Sequence, residues 1–308
     1  MASITAPADR SAPAPQLADV SSRPNPVRRL IDLWQYRELL GSLVRKELKV
    51  KYKNSVLGFV WSLLNPALYL VVFYVVFTYF LPAGVPNFAI FLLAGLLPWN
   101  LFGIALGAST GSITGNASLV TKVWFPREIL PLASIGAGLV HFLLQTVVLL
   151  LALVVFRQVP AWSYLPLLPI ALFALVVFLA AMSIALAAIN VYARDTEHLL
   201  ELALLAWFWM TPIVYAYRKV ADHKGVGALF LLNPLTPVVI TFQRALYNKA
   251  TVVTFDSAGT RYVTKILPNT GLVWYAEVLG ILLAVSLVLL FVALVIFGRL
   301  EDNFAEEI

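Results

Sequence analysis

Residues Leu33–Phe80 read LWQYRELLGSLVRKELKVKYKNSVLGFVWSLLNPALYLVVFYVVFTYF, and a change of pattern inside them decides the fold. Placed at about 100° per residue, Leu33, Tyr36, Leu39, Leu40, Leu43, Val44, Leu48 and Val50 share one face. Arg45, Lys46, Lys49 and Lys53 fall opposite, with Glu38. Arg37, Glu47 and Lys51 interrupt the apolar face, so part of it is expected to meet protein. Leu33–Lys53 therefore reads as an amphipathic helix lying in a membrane interface, basic side toward anionic headgroups. A soluble amphipathic helix is the alternative. From Val56 to Phe80 the periodicity disappears and no charged residue occurs. That run is long enough to cross about 30 Å of hydrocarbon as a helix.

The whole chain agrees with a lipid solvent. Of 308 residues, 61% are hydrophobic and 12% charged, against roughly 45–50% and about 25% in soluble proteins. Six spans are expected, near Val56–Phe80, Phe88–Leu106, Leu130–Phe156, Leu165–Val191, Leu202–Tyr217 and Leu272–Phe297. The fifth is short and runs into Thr211-Pro212, so a break is expected there. Residues 1–29 are rich in Ala, Pro and Ser and cannot bury a core, so a disordered tail is expected. They contain no continuous apolar stretch of the signal-peptide kind. The expected organisation is a tail (1–29), an interface helix (30–54), a transmembrane domain (55–300) and a C-terminal tail (301–308).

Charge placement sets the orientation. Arg37, Arg45, Lys46, Lys49, Lys51 and Lys53 precede the first span. Lys122 and Arg127 follow the second, Arg194 follows the fourth and Arg299 ends the sixth. On the other side Arg157 stands alone in the short loops. Both termini are therefore expected in the cytoplasm. The segment 212–271 would then be external. It holds two short apolar stretches, Ala228–Leu232 and Leu235–Tyr247, that cannot span but can dip back into the membrane. Thr251–Pro268 reads as an extended hairpin turning at Asp256–Gly259.

Reactive groups are scarce. There is no cysteine, and His141, His198 and His223 have no metal-ligand spacing, so no metal site is expected. Within the spans only His141 and Glu277 are ionisable. That weighs against a proton-coupled transporter and against an intramembrane enzyme. His141 and Gln145 share a helix face, and an interhelical hydrogen bond is the plain reading. No GxxxxGK[ST] loop occurs, so the chain does not bind ATP in that way.

The loops on the basic side carry the information. Ser118–Pro131, SLVTKVWFPREILP, mixes Trp124 and Phe125 with Lys122, Arg127 and Glu128. Exposed aromatics on a short loop suggest protein docking, or else anchoring of Trp and Phe at the membrane interface. Pro126 suits the first turn of the next helix. Asn190–Glu201, NVYARDTEHLLE, offers Arg194, Asp195, Glu197 and His198 as either a solvated face or a second contact.

Five stretches in fixed order then become recognisable: YKNSVLGFVWSLLNP (Tyr52–Pro66), KVWFPREILPLAS (Lys122–Ser134), VYARDTEHLLE (Val191–Glu201), NPLTPVVITFQRALY (Asn233–Tyr247) and GRLEDNFAEEI (Gly298–Ile308). Together, from about Leu33 onward, the chain resembles the permeases of ABC-2 type polysaccharide exporters, which move O-antigen, teichoic acid, capsule or wall galactan. The resemblance implies an all-α homodimer of six-span subunits in a bacterial cytoplasmic membrane, served by two separately encoded ATPase subunits. ATP and Mg would sit on those subunits, with no cofactor, catalytic residue or nucleic-acid partner on this chain. It also implies a coupling helix at Leu119–Arg127, involving Leu119, Lys122, Val123, Trp124, Phe125, Pro126 and Arg127, with Glu128 beside it. Arg194, Asp195, Glu197 and His198 would form the second contact. Asn233, Pro234, Thr236 and Pro237 would belong to re-entrant helices closing the external mouth. The acidic tail Glu301–Ile308 would lie near the ATPase.

A polysaccharide path needs weak, smooth contacts, and aromatic rings stack on the C–H faces of sugars. Aromatic residues make up 13% of the chain. Phe73, Tyr74, Phe77, Trp99, Phe102, Trp207, Phe208 and Trp209 are the candidates for lining it, with lipid-facing packing as the alternative for each. Arg45, Lys46 and Lys49 are candidates for a lipid pyrophosphate, or simply for anionic lipid. An ABC-2 exporter of a drug or lipid shares this fold. A stand-alone glycosyltransferase or flippase would need a catalytic or ion-coupling residue in the spans.

Overall fold

The computed structural model describes residues 29, 33–53, 55, 58, 60–80, 86–218, 226–255 and 261–307. The expected tail up to residue 28 and the turn at Asp256–Gly259 lie outside them. In chain order the elements are α1 (Arg37–Tyr52), α2 (Val60–Val75), α3 (Phe88–Thr110), α4 (Ala117–Lys122), α5 (Ile129–Val155), α6 (Leu167–Tyr192), α7 (Thr196–Trp209), α8 (Val226–Leu232), α9 (Leu235–Tyr247), β1 (Thr251–Phe255), β2 (Arg261–Lys265) and α10 (Leu272–Leu300).

Among the described residues five helices are long and apolar enough to cross a membrane: α2 with its continuation to Phe80, α3, α5, α6 with the turn before it, and α10. The Val76–Phe80 continuation of α2 is a π-turn. The bounds of the expected fifth crossing, Leu202–Tyr217, need correction. Its helix starts earlier, at Thr196, and stops at Trp209. Fourteen residues reach about 21 Å, short of the hydrocarbon thickness. The chain bends from Thr211 to Tyr215. Pro212 lacks an N–H and disfavours helical geometry at Thr211, so the break falls where expected.

α3 is the central helix. It is apolar all round and buried along most of its length, against α5, α6, α9, α2 and α7. Gly95 lets α9 approach it: a Cβ there would stand 2.8 Å from Gln243 Nε2. α6 and α10 make the most extensive helix–helix contact in the bundle. α2 lies outermost, with only Pro66 buried.

The connections alternate between two ends. At one end Lys46 Nζ donates to Asn116 Oδ1 (2.7 Å), Arg127 Nη1 to the Glu301 carbonyl (2.7 Å) and Tyr192 Oη to the Leu300 carbonyl (2.6 Å). These bonds gather α1, the loop after α3 and the C-terminal tail. At the other end Asn87 Nδ2 donates to Gln158 Oε1 (3.1 Å), Gln158 Nε2 to the Tyr247 carbonyl (2.7 Å) and Tyr164 Oη to the Thr270 carbonyl (3.1 Å). The basic loops thus share one end of the bundle. The strands form the expected antiparallel hairpin, Thr251 pairing with Lys265 and Phe255 with Arg261.

α1 packs against the bundle, mainly on α5. Leu43 is buried, while Leu39, Leu40 and Val44 pack around the same cluster. Val44 fits against Gly136 of α5, where a Cβ would stand 2.6 Å from Val44 Cγ2. Glu47, which broke the apolar face in the sequence, accepts a hydrogen bond from Ser134 Oγ at 2.8 Å. Arg45, Lys46 and Lys49 are exposed.

Candidate docking and gating sites

The segment between α3 and α5 is built in three steps. α3 stops at Thr110, and a 3-10 turn over Thr114–Asn116 leads into the short α4. The amide of Asn116 donates to the Ser112 carbonyl at 2.8 Å and holds that turn. After Lys122 the backbone becomes extended at Val123. Pro126 lies in the turn ahead of α5, not in its first helical turn; its carbonyl accepts from Ile129 N at 3.2 Å.

The side chains divide by direction. Lys122, Val123 and Trp124 point outward, and Trp124 is 80% exposed. Leu119, Pro126 and Arg127 are half-buried. Phe125 turns inward at 4% exposure, packed with Ile113, Val120, Ile129, Phe297 and Phe304. Glu128 is 1% exposed and ion-paired to Arg29. Glu128 and Phe125 therefore do not present a surface to a partner: one holds a buried charge, the other an apolar plug. Arg29, which composition assigns to the disordered tail, is buried.

Arg194, Asp195, Glu197 and His198 are all exposed at the start of α7. Arg194, Glu197 and His198 line an open polar cleft of about 560 Å³ with Gly111, Thr114, Gly115 and Asn190. Glu197 Oε1 accepts from Asn190 Nδ2 at 2.8 Å. The same oxygen lies 2.8 Å from where a Cβ on Gly111 would stand, so a side chain there would displace it. This cleft and the Trp124 edge belong to the same end of the molecule.

At the bend after α7, Asn233 is the central side chain. Its Oδ1 accepts from Trp207 Nε1 (2.8 Å) and Leu235 N (3.0 Å). Its Nδ2 donates to Thr211 Oγ1 (2.9 Å) and the Met210 carbonyl (3.2 Å). One amide thus joins the broken end of α7 to the start of α9. Pro234 precedes α9, and Thr236 and Pro237 are buried in its first turn, the Pro237 carbonyl accepting from Thr241 Oγ1 at 2.7 Å. Gln243 Nε2 donates to the Pro212 carbonyl at 3.2 Å. α9 is buried along nearly its whole length although it is too short to span.

The aromatic candidates sort into two groups. Phe73 and Phe77 belong to a ring string running Tyr69–Phe73–Phe77–Phe88–Phe91–Tyr247. Tyr74 touches Phe156. Phe102 is fully enclosed by Phe178 and Trp207, so it offers no surface within the subunit. Trp99 packs on Phe102 and Phe208. Trp209 is 60% exposed.

His141 joins helices. Its Nδ1 lies 2.9 Å from Tyr52 Oη and 3.0 Å from Ser62 Oγ, and those two hydroxyls bond to each other. Gln145 pairs instead with Asn100, whose amide donates to it at 3.3 Å. Glu277 is exposed near the start of α10. Among the described residues no group of three or more His, Asp or Glu side chains is placed to hold a metal ion.

A bundle of apolar helices with an outward aromatic edge at one end and a buried short helix at a broken span defines a multi-pass membrane protein. Residues 38–247 match the ABC-2 type transporter family, and the chain belongs to it. It is 34% identical to the O-antigen export system permease protein RfbA of Myxococcus xanthus, over 92% of this chain and 100% of that protein. It is 30% identical to the protein of the same name from Klebsiella pneumoniae, over 87% and 94% of the two chains. It is 24% identical to the polysialic acid transport protein KpsM of Escherichia coli, over 64% of this chain and 77% of that one.

Proposed function

We propose that this chain is the membrane-spanning permease subunit of an ATP-driven exporter that moves a lipid-linked polysaccharide across the bacterial cytoplasmic membrane. The relatives named for O-antigen export and polysialic acid transport support the substrate class. Two copies of the chain form the path, and two ATPase subunits, carrying ATP and Mg, bind at the basic end. α7 and the bend after it make the fifth of six crossings, with both termini in the cytoplasm. α1 lies in the headgroup layer, where Arg45, Lys46 and Lys49 meet anionic lipid or the lipid pyrophosphate. α8 and α9 re-enter from outside, and Asn233, Pro234, Thr236 and Pro237 form the external gate. Exposed and half-exposed rings, such as Trp209, Phe73 and Phe77, supply the sliding contacts.

The observation that carries the docking half of this reading is the geometry at Trp124. A tryptophan 80% exposed beside exposed Lys122 and Val123 sits on a segment whose neighbours Phe125 and Glu128 are buried. Such an edge joins a large exposed ring to a positive charge, the kind of anchor a protein partner covers. The test is Lys122→Glu combined with Trp124→Ala. Membrane insertion stays normal, while co-purification of the ATPase and polymer export fall at least about tenfold, roughly 1.4 kcal/mol of binding. Unchanged association and export would refute the docking assignment.

A further inference from the structure

Residues 29, 128 and 301 are remote along the chain and meet in one spot at the basic end. Arg29 reaches Glu128 through Nη1 and Glu301 through Nη2, the latter at 2.9 Å. The guanidinium lies against Gly298, where a Cβ would stand 3.0 Å from Nη2. Arg127 joins the same group. Its Nη1 donates to the Glu301 carbonyl at 2.7 Å, and its guanidinium carbon sits 5.7 Å from the centre of the Phe304 ring. Phe304 belongs to the apolar cluster that also holds Phe125 and Phe297. Two consecutive residues of the docking segment, Arg127 and Glu128, are thus bound to Glu301, one directly and one through Arg29. Arg29 and Glu301 both lie outside the stretch 38–247 that matches the family.

An ion pair that merely stabilises would explain the burial but not the placement. The outer edge of the segment, Lys122–Trp124, is exposed, and its inner end is tied to the end of α10. Arg29 and Glu128 are buried and Glu301 is half-buried, and charges held out of water resist separation because each would be left unpaired. A displacement of the outer edge is therefore carried through the pair instead of being lost in loop motion. α5 follows the segment through the backbone. α10 is 144 or more residues further on, at Leu272 and beyond, and can follow only through side-chain contacts.

We propose that Arg29 is a positioning residue which, by bridging Glu128 and Glu301, locks the docking segment to α10 so that ATPase movement reaches the last span. This rests on the proposed function, since it takes an ATPase partner as given. The experiment compares variants in the assembled permease–ATPase complex, reading ATP hydrolysis and polymer export separately. A wild-type complex that fails to form or to export defeats the proposed function itself. In a working complex, Arg29→Gln keeps hydrolysis within about twofold of wild type while export falls at least about tenfold, and Arg29→Lys recovers much of the export. Arg29→Met with Glu128→Gln and Glu301→Gln strands no charge, so it guards against simple misfolding; it gives the same raised ratio of hydrolysis to export. Proportional loss of both activities, or no change in either, overturns the proposal.

Discussion

Ser134 of α5 donates its hydroxyl proton to Glu47 of α1 across 2.8 Å, and this bond is what a carboxylate gains for interrupting an apolar face. Burial pushes the Glu47 carboxyl above its ordinary 4.5; the Ser134 bond and Lys46 pull the other way without cancelling it. A raised folded value favours the neutral acid in the docked helix. Its contribution to docking is therefore complete below about pH 4.5 and is lost as pH rises through the raised value. The chain has no cysteine, so spin labels can be placed at Lys49 and Leu143. The distance distribution between them should broaden from about pH 4 to about pH 8, and Glu47→Gln should abolish the change. A pH-independent distance in the unsubstituted chain would contradict this.

Gly136→Ala should loosen α1. The new Cβ would meet Val44 Cγ2 at 2.6 Å, and valine has little rotamer freedom to yield. The expected loss is about 1–3 kcal/mol, as for overpacking elsewhere. Val44→Ala should relieve it, so thermal unfolding of the two single variants and the double variant should be non-additive. Strict additivity would mean that the two helices do not meet there.

Trp124→Ala and Phe125→Ala should behave oppositely although the residues are adjacent. The first removes an exposed ring and should change stability by no more than about 0.5 kcal/mol. The second empties a buried site and should cost about 3–5 kcal/mol. Denaturation in detergent, without any partner, separates them. Equal effects would show that the segment is not oriented as described.

Asn233→Asp keeps the acceptor for Trp207 and Leu235 but loses the donor bonds to Met210 and Thr211. Asn233→Ala loses both sets. At about 1 kcal/mol net per hydrogen bond, the alanine variant, which loses four, should be destabilised by about 4 kcal/mol and the aspartate variant, which loses two, by about half that. A thermal melt that ranks them the other way would remove Asn233 from its bridging position.

Lys122 and Asn248 are exposed at opposite ends of the bundle. In intact cells a membrane-impermeant thiol reagent should label Asn248→Cys at once and Lys122→Cys only after permeabilisation. Labelling of both from the same side would reject the proposed orientation.

Much of this architecture is legible from residue order. The spans follow from apolar runs, the break at Thr211-Pro212 from proline chemistry, and the hairpin from alternation around a Gly-containing turn. Glu47 pointed to a protein contact because a carboxylate on an apolar face needs a donor. The start of α7 is not legible because TEHLLE looks like a polar loop, whereas Thr196 and Leu200 are buried along one side of a continuing helix. Glu128 looked like a docking charge because its loop is short and basic. Its real partner, Arg29, sits 99 residues away, and no local pattern encodes such a pairing. An interhelical bond is expected for His141 from the sequence, but its partners Tyr52 and Ser62, like that of Asn190, are hidden for the same reason: lone polar residues reveal their partners only once helices are placed side by side.

α2 shows what an outward face means for a helix. Leu68, Val71 and Val72 are exposed on the single chain, so nothing within the subunit constrains their shape. Exchange among Leu, Ile and Val there should pass almost unnoticed, whereas Leu92 or Phe102 in α3 is held to its exact volume. The polar attachment of α2 is at Ser62, toward Tyr52 and His141, and an aromatic one is at Tyr74, against Phe156. Leu70, Phe73 and Phe77 press the other side of the rod to the core, so α2 resembles a wall panel, fitted on its inner face and left plain on its outer one.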